Sequence, residues 1–279
     1  GDIPKFYDQV KNNNVYQING IYYAWVAPPE KLKSFDNVFI LTYLFHGQQF
    51  KGWLDLHEMP YSLHSVVNNK LTSYQKPSGS QFKELITINT DKKLNGAYSR
   101  HTSLSASYYE RAKPDKLKQL QKDIRSFFRS FSKTDSSQNL VTTFKGYDRK
   151  ILREPFMSCS KGFRLDQVNK MSDEEKAETF CFLAFNTKAT NLYANKSAVA
   201  YPVNIYPRPE INSFLECNLE EHSDKQFQDL HALSTMIQFI WRSRIRNGQH
   251  IHLYVPARRM RDLLQEWLNG ELLCPELTC

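Results

Sequence analysis

The chain has 279 residues, of which 41% are hydrophobic and 13% aromatic, which suits one large or two modest globular domains and excludes a disordered segment. Its formal net charge of +8 favours a polyanionic partner such as nucleic acid or a phosphate-rich ligand. No apolar run approaches the roughly 18 residues of a membrane span, and the polar start is unlike a signal peptide, so no membrane partner is expected.

The five cysteines are widely spaced, and no two form a Cys-x-x-Cys pair. This spacing argues against a disulfide framework and against a cysteine metal site. We therefore expect a cytoplasmic protein in a reducing compartment.

Residues 1–76 are predicted to form an N-terminal partial lobe or extension. Within them Val38–Phe45 is apolar, β-branched and aromatic, which predicts a strand covered on both faces. Thr42 is the one small polar residue inside this run. Proline and glycine in Lys76–Ser80 predict a linker to a second domain of residues 77–279.

The second domain is predicted to alternate strands with helices. The predicted strands are Phe82–Asn89, Asn139–Phe144, Phe180–Phe185, Ser197–Val203 and the run that contains Ile251, Leu253 and Val255. The predicted helices are Asp115–Lys133, Ser172–Glu178, Pro207–Phe214, a long helix that begins at Gln226, and Ala257–Leu268. This alternation predicts an α/β fold with a mostly parallel sheet and flanking helices. Ligands of such sheets bind at the carboxyl ends of the strands.

The long helix carries a polar stripe beside its apolar face. Its pattern continues from Gln226 to a stop at Asn247-Gly248. Gln238, Arg242 and Arg246 lie four residues apart, so a continuous helix would aim one amide and two guanidinium groups the same way. The alternative is a solvated basic helix face.

Two polar loops follow predicted strands and offer groups that suit phosphate oxygens, because hydroxyls and amides fix position while lysine supplies charge. The candidate contacts are Asn186, Thr187, Lys188 and Thr190 in NTKATN, and Thr142, Thr143 and Lys145 in VTTFKGY. The alternative for each loop is a polar connection without a ligand.

These motifs together resemble those of superfamily-2 helicases. Gln238, Arg242, a further arginine and Gly248 ahead of an apolar strand resemble the sixth motif, and the run IQFIWRSRIRNG is most similar to DEAD/DEAH-type helicases of phages and mobile elements. NTKATN resembles the fifth motif and VTTFKGY the fourth. The resemblance covers about residues 139–264 well and 20–60 loosely. One departure is that Ile245 stands where the family has its second arginine, so that Arg244 and Arg246 both remain candidates.

The resemblance implies that residues 77–279 form the second RecA-like lobe of such a helicase and that residues 1–76 are the remainder of the first. Arg242 with Arg246 or Arg244 would stabilise charge on a transferring phosphoryl group, and Gln238 would help to seat the nucleotide. Thr42 would stand in the third motif, which couples the nucleotide to the nucleic acid. The two polar loops would hold DNA or RNA by its backbone.

The sequence has no Gly-x4-Gly-Lys-Ser/Thr loop, and no apolar strand ends in Asp-Glu. We therefore expect no ATP hydrolysis by this chain alone. ATP and magnesium would bind only with a complete first lobe, and a separate ATPase lobe or a replication or defence protein would be the partner that supplies it.

Two other classes of function are alternatives to the helicase. A standalone basic α/β module would bind nucleic acid or another protein and have no ATPase role. A nuclease or other metal-dependent enzyme would need an acidic cluster that the sequence lacks, and the pair His250-x-His252 has no third ligand at a recognisable spacing, so no metal site is predicted.

Overall fold

The computed structural model of the protein describes residues 8, 10–12, 14–18, 20–144, 170–179, 181–187, 190–219 and 224–272. The strands are β1 (Val15–Ile18), β2 (Tyr22–Trp25), β3 (His64–Val67), β4 (Lys70–Ser73), β5 (Ile86–Ile88), β6 (Asn139–Val141), β7 (Ala198–Ala200) and β8 (Ile251–Tyr254). The α-helices are α1 (Glu30–Lys33), α2 (Gln49–Leu56), α3 (Lys92–Asn95), α4 (Ala106–Arg111), α5 (Pro114–Ser126), α6 (Asp173–Thr179), α7 (Pro209–Asn218), α8 (Asp224–Ile240) and α9 (Arg258–Asn269). A π-helical turn at Phe127–Ser132 extends α5, and 3-10 turns cover Phe45–Gly47, Ser80–Leu85, Gly96–Tyr98, Ser136–Gln138 and Arg244–Asn247.

The chain divides into two compact units. Gly1–Lys76 and Pro207–His231 belong to the first unit, and Pro77–Tyr206 and Ala232–Leu273 to the second. The first unit thus includes a segment that the sequence analysis assigned to residues 77–279. The assignment of either unit to a helicase lobe stays a prediction.

The first unit contains two antiparallel hairpins, β1–β2 and β3–β4. Tyr16 of β1 packs edge-on against Phe214 of α7, with ring centroids 5.3 Å apart. The predicted covered strand at Val38–Phe45 is wrong. Val38–Leu41 is exposed and belongs to no strand, Thr42 is exposed as well, and Phe45 begins a 3-10 turn.

The second unit is built on a parallel four-stranded sheet in the order β5-β8-β7-β6. Phe182 adds a parallel bridge to Val141 at the β6 edge, where the sequence predicted a full strand over Phe180–Phe185. The α/β fold with a parallel sheet and flanking helices is therefore confirmed.

Helices cover both faces of this sheet, whose strands are mostly apolar. All three residues of β7 are 0% exposed. Tyr254 of β8 stacks on Phe127, at 5.3 Å between ring centroids, and its register partner in β7 is Ala200. The next residue, Tyr201, packs against Phe239 of α8. Because successive strand residues face opposite sides, these contacts mark two covered faces.

The long helix is shorter than the sequence pattern predicts. It ends at Ile240, whose carbonyl oxygen accepts hydrogen bonds from both the hydroxyl and the N–H of Ser243, at 2.6 and 3.0 Å. The N–H of Arg244 then donates to Lys196 O at 3.1 Å rather than to its own helix. Such local and tertiary bonds compete with helix continuation.

Two short helices in the second unit were not predicted. The carboxylate of Asp91 accepts from Lys93 N and begins α3, and the hydroxyl of Ser105 accepts from Tyr108 N and begins α4. Both are ordinary N-cap contacts. Both helices are too short for a hydrophobic period to be recognised in the sequence.

Gly79 offers a test of packing in the second unit. A Cβ at this position would lie 2.4 Å from Cε3 of Trp267, which is 1% exposed. We expect Gly79→Ala to lower the free energy of unfolding by about 1–3 kcal/mol in urea titrations, since the ring must move. Gly96→Ala is the matched control, because a Cβ there meets no atom within 4 Å. Equal midpoints for the two variants would contradict the packing assigned to Trp267.

Candidate functional site

Arg242 forms hydrogen bonds to two residues of the polar loop NTKATN. Its Nη2 donates to Thr187 O at 3.2 Å, and its Nη1 donates to Thr190 O at 3.3 Å. One planar guanidinium therefore bridges two backbone carbonyls on either side of Lys188, which lies outside the described residues.

Arg246 joins Arg242 on the same loop. Its Nη1 donates to the side-chain oxygen of Asn191 and, at 3.5 Å, to Thr190 O. Arg244 has a different position, with its Nε donating to His250 O at 2.5 Å. The two arginines that share a target are therefore Arg242 and Arg246. Asn191 belongs to NTKATN but was not selected from the sequence, because no pattern there marked it as an arginine partner.

The arginine pair carries positive charge that no described carboxylate neutralises by an ion pair. Burial, followed by the charge of Arg246, lowers the pKa of Arg242. Arg242 Nε is buried and has no acceptor among the described residues, whereas Arg246 is exposed. Arg246 is therefore the member of the pair that an anion in solvent reaches.

The 3-10 turn at Arg244–Asn247 lies near the amino-terminal ends of the parallel strands. Arg244 is bonded to Lys196 and His250, which stand just ahead of β7 and β8. Phe182 pairs with the last residue of β6, whereas Lys196 precedes β7, so these two residues lie at opposite ends of the parallel strands. Ligands of parallel α/β sheets usually bind at the opposite, carboxyl edge. The sequence predicted that ligands bind at the carboxyl ends of the strands. The turn that contains Arg244 and Arg246 instead lies near their amino-terminal ends.

The predicted stripe is not a continuous helix face. Gln238 is exposed on α8 and donates to the hydroxyl of Ser234 at 3.2 Å, whereas Arg242 and Arg246 follow the helix end at Ile240. The described hydrogen bonds connect the two arginines to the loop, and none of them connects Gln238 to it.

Hydroxyl access differs between the two predicted phosphate loops. Asn186 is exposed and Thr187 and Thr190 are half-buried. Thr142 and Thr143 are 0% and 1% exposed, so contact with a phosphate would require this end of the sheet to open. Lys145 lies outside the described residues, as does Lys188. Thr42 is exposed in the first unit.

Two further arginines, which the sequence analysis did not select, organise the carboxyl edge. Arg259 donates through Nη1 to Asn204 Oδ1 at 3.0 Å and lies over the ring of Tyr206, 4.4 Å from its centroid. Arg261 donates through Nη1 to Asn95 Oδ1 at 2.9 Å. Their alternation with apolar α9 residues resembles that of an ordinary amphipathic helix, so these contacts could not be predicted from the sequence.

Asp123 has a buried carboxylate. It accepts from Tyr98 OH at 2.6 Å and from Gln119 Nε2 at 2.8 Å. Burial, then the bond to Asp123, raises the pKa of Tyr98. Both carboxylate oxygens thus have donors, and the arrangement suits a structural bond better than proton transfer.

The described residues contain no group of three or more His, Cys, Asp or Glu side chains that could hold a metal ion. His250 and His252 have ring centroids 4.9 Å apart, and His250 Nε2 lies 2.7 Å from the hydroxyl of Thr87. In the described part of the chain, no helix is long and apolar enough to cross a membrane.

A protein-family comparison matches residues 80–268 to the YonV C-terminal Rossmann-like domain. The chain belongs to this family. It is also similar to the SPbeta prophage-derived uncharacterized protein YonV of Bacillus subtilis (strain 168), at 31% identity over 268 residues, which cover 94% of this chain and 59% of that protein. No solved structure matches the chain.

In this YonV-type domain, the hydrogen bonds of Arg242 to Thr187 O and Thr190 O should restrain the chain between these two residues. We expect Arg242→Gln to speed tryptic cleavage after Lys188, because glutamine cannot span both carbonyls. The rate is measured by mass spectrometry of the native protein under limiting trypsin. Gln238→Ala is the control, since its described bond stays within α8. Equal cleavage rates would show that the loop does not depend on Arg242.

The folded protein should also lose stability in mild acid. Burial, and then the charges of His250 and Arg244, lower the pKa of His252 below its ordinary value of 6.5. The unfolded chain therefore takes up this proton first, and the free energy of unfolding should fall as the pH drops below about 6.5.

Urea titrations across this pH range check the effect. His252→Gln should flatten the pH dependence, while the exposed His64→Gln should leave it unchanged. A wild-type slope retained in His252→Gln would assign the effect to other groups.

Proposed function

We propose that the chain is the C-terminal motor-lobe portion of a superfamily-2-like helicase. It would bind nucleic-acid backbone and supply arginine charge to an ATP site whose phosphate-binding loop is not in this sequence. The observation that carries the proposal is the arginine pair on NTKATN, because two motifs selected separately from the sequence meet there. The prophage origin of the similar YonV is compatible with the phage-type helicases that the sequence resembles.

The geometry favours different roles for the two arginines. Arg246 is exposed and would present charge to a phosphate, whereas Arg242 would act as a positioning residue through Thr187 and Thr190. Asn186, Thr187, Lys188 and Thr190 would hold the nucleic-acid backbone, and Lys145 would add charge. Thr142 and Thr143 would contact the nucleic-acid backbone only if the end of β6 opens. Gln238 and Thr42 keep the nucleotide-seating and coupling roles that the resemblance implies.

ATP would be the substrate of the whole motor, and magnesium would accompany it. The polar side chains of this chain match only part of a site for ATP and magnesium. Arg246 matches the charge of a phosphate, but the described residues provide no carboxylate cluster for magnesium. Both would therefore require a first lobe supplied by other polypeptide.

The second candidate is a standalone basic α/β module that binds nucleic acid or protein without an ATPase role. One observation favours it. Both terminal nitrogens of Arg242 are bonded to backbone carbonyls, as expected of a structural arginine.

Fluorescence anisotropy with labelled single- and double-stranded DNA and RNA tests the proposal. Binding should weaken steeply from about 50 to about 200 mM salt, as it does when phosphate counterions are released. Lys188→Ala should weaken binding and reduce the slope of log K against log salt by about 0.7–0.9, the share of one phosphate contact.

Lys118→Ala is the matched control, since this lysine has a side chain 71% exposed on α5, away from both loops in sequence. Arg246→Ala should leave nucleic-acid binding nearly unchanged, because its charge is reserved for the nucleotide. Equal losses in all three variants would favour the standalone module. The absence of any binding would reject both the helicase and a nucleic-acid module.

A further inference from the structure

Val38–Leu41 is an exposed apolar segment of the first unit. Phe39 is 76% and Leu41 92% exposed, and Val38 and Ile40 are 43% and 45% exposed. Single exposed hydrophobic side chains are common, but four in succession with large side chains mark an interaction surface.

In the described part of the chain, no strand pairs with this segment. Its N–H and C=O groups make no backbone–backbone hydrogen bond with another described residue. Backbone donors and acceptors that no strand uses are a template for strand addition, in which main-chain bonds supply affinity and alternate side chains enter pockets.

The side chains indicate what kind of sheet the segment fits. In an extended strand Val38 and Ile40 would face one side, and Phe39 and Leu41 the other. A strand at a solvated face would alternate apolar with polar residues, whereas apolar residues on both sides are typical of a parallel sheet covered by helices on both faces. The fitting partner is therefore the open edge of a second α/β sheet.

We propose that Val38–Leu41 is a docking strand that joins the parallel sheet of a separate α/β lobe. The partner is the part of a YonV-type protein that lies outside the region matched by this chain. This chain covers 59% of YonV, and its matched domain is by its family name the C-terminal one, so the relative contains further polypeptide for this role. The inference rests on the proposed function, since that lobe would be the one that completes the motor.

The experiment mixes this chain with a polypeptide covering the part of B. subtilis YonV outside the match. Size-exclusion chromatography with light scattering should give a one-to-one complex, and amide exchange at residues 38–41 should slow on binding. The double variant Phe39→Asp/Leu41→Asp should lower the affinity at least about tenfold, because each charge would be buried between sheet and helix.

The matched control is Val66→Asp/Leu71→Asp, in which both residues are 65% exposed on the hairpin β3–β4. It should bind like wild type. Ile40→Pro tests the main-chain contribution, because proline removes one donor, and it should also weaken the complex. Thermal unfolding of all variants checks that the chain stays folded.

Failure of the wild-type chain to bind overturns the proposal, and so does equal binding by the Phe39/Leu41 variant. Concentration-dependent dimers abolished by the same variant also overturn it, since the occupant would be a second copy. Nucleic-acid affinity is measured in parallel on the chain alone. A complex formed by a chain that binds no nucleic acid would support the docking strand and reject the helicase function.

Discussion

The second unit depends on the burial of a parallel sheet from both faces. The inner strand β7 is fully buried, and its neighbours β6 and β8 are nearly as buried. Helices must therefore cover both sides, and a polar group that projects from the middle of these strands needs either a partner or an opening to solvent. Polar residues are displaced to the strand ends and the loops, where backbone carbonyls also need donors. The arrangement of those donors decides the shape of each edge.

Arginine serves this purpose at both edges of the sheet. Arg261 donates to Val255 O and Asn95 at the carboxyl edge, and Arg242 donates to Thr187 O and Thr190 O on the loop. Guanidinium suits the task because its five donors lie in one plane and it remains charged when half-buried. A carbonyl satisfies the donor but does not cancel the charge. Structural use of arginine in this protein therefore leaves positive potential at the loops, in line with the net charge of +8.

Sequence pattern predicted the parts of the fold whose residues are buried in a regular way. The sheet strands β6, β7 and β8 were found as short, mostly apolar segments, and the helix α9 by the helical spacing of its apolar residues. The helix end at Ile240 was missed, since the pattern continues through Trp241 and Ile245 while the deciding bonds come from Ser243 and the distant Lys196. Likewise, the apolar residues of Val38–Phe45 predict that this segment is buried by other residues. They do not indicate which residues bury it. The contact of Arg242 with NTKATN was not predicted, because helix spacing placed both arginines on a longer helix.

The Arg242 bridge bears on how a motor lobe would work. A helicase must connect the nucleotide to the nucleic acid, and such coupling requires an element whose position both ligands influence. The loop meets this requirement in the proposed function, because its side chains would face the nucleic acid while its carbonyls hold Arg242 and Arg246. Movement of the loop on nucleic acid would shift two guanidinium groups at once, and a phosphate drawn to Arg246 would pull on Asn191 and Thr190 in return. The bonds to Arg242 are thus compatible with a motor in which this arginine transmits loop position to its exposed neighbour.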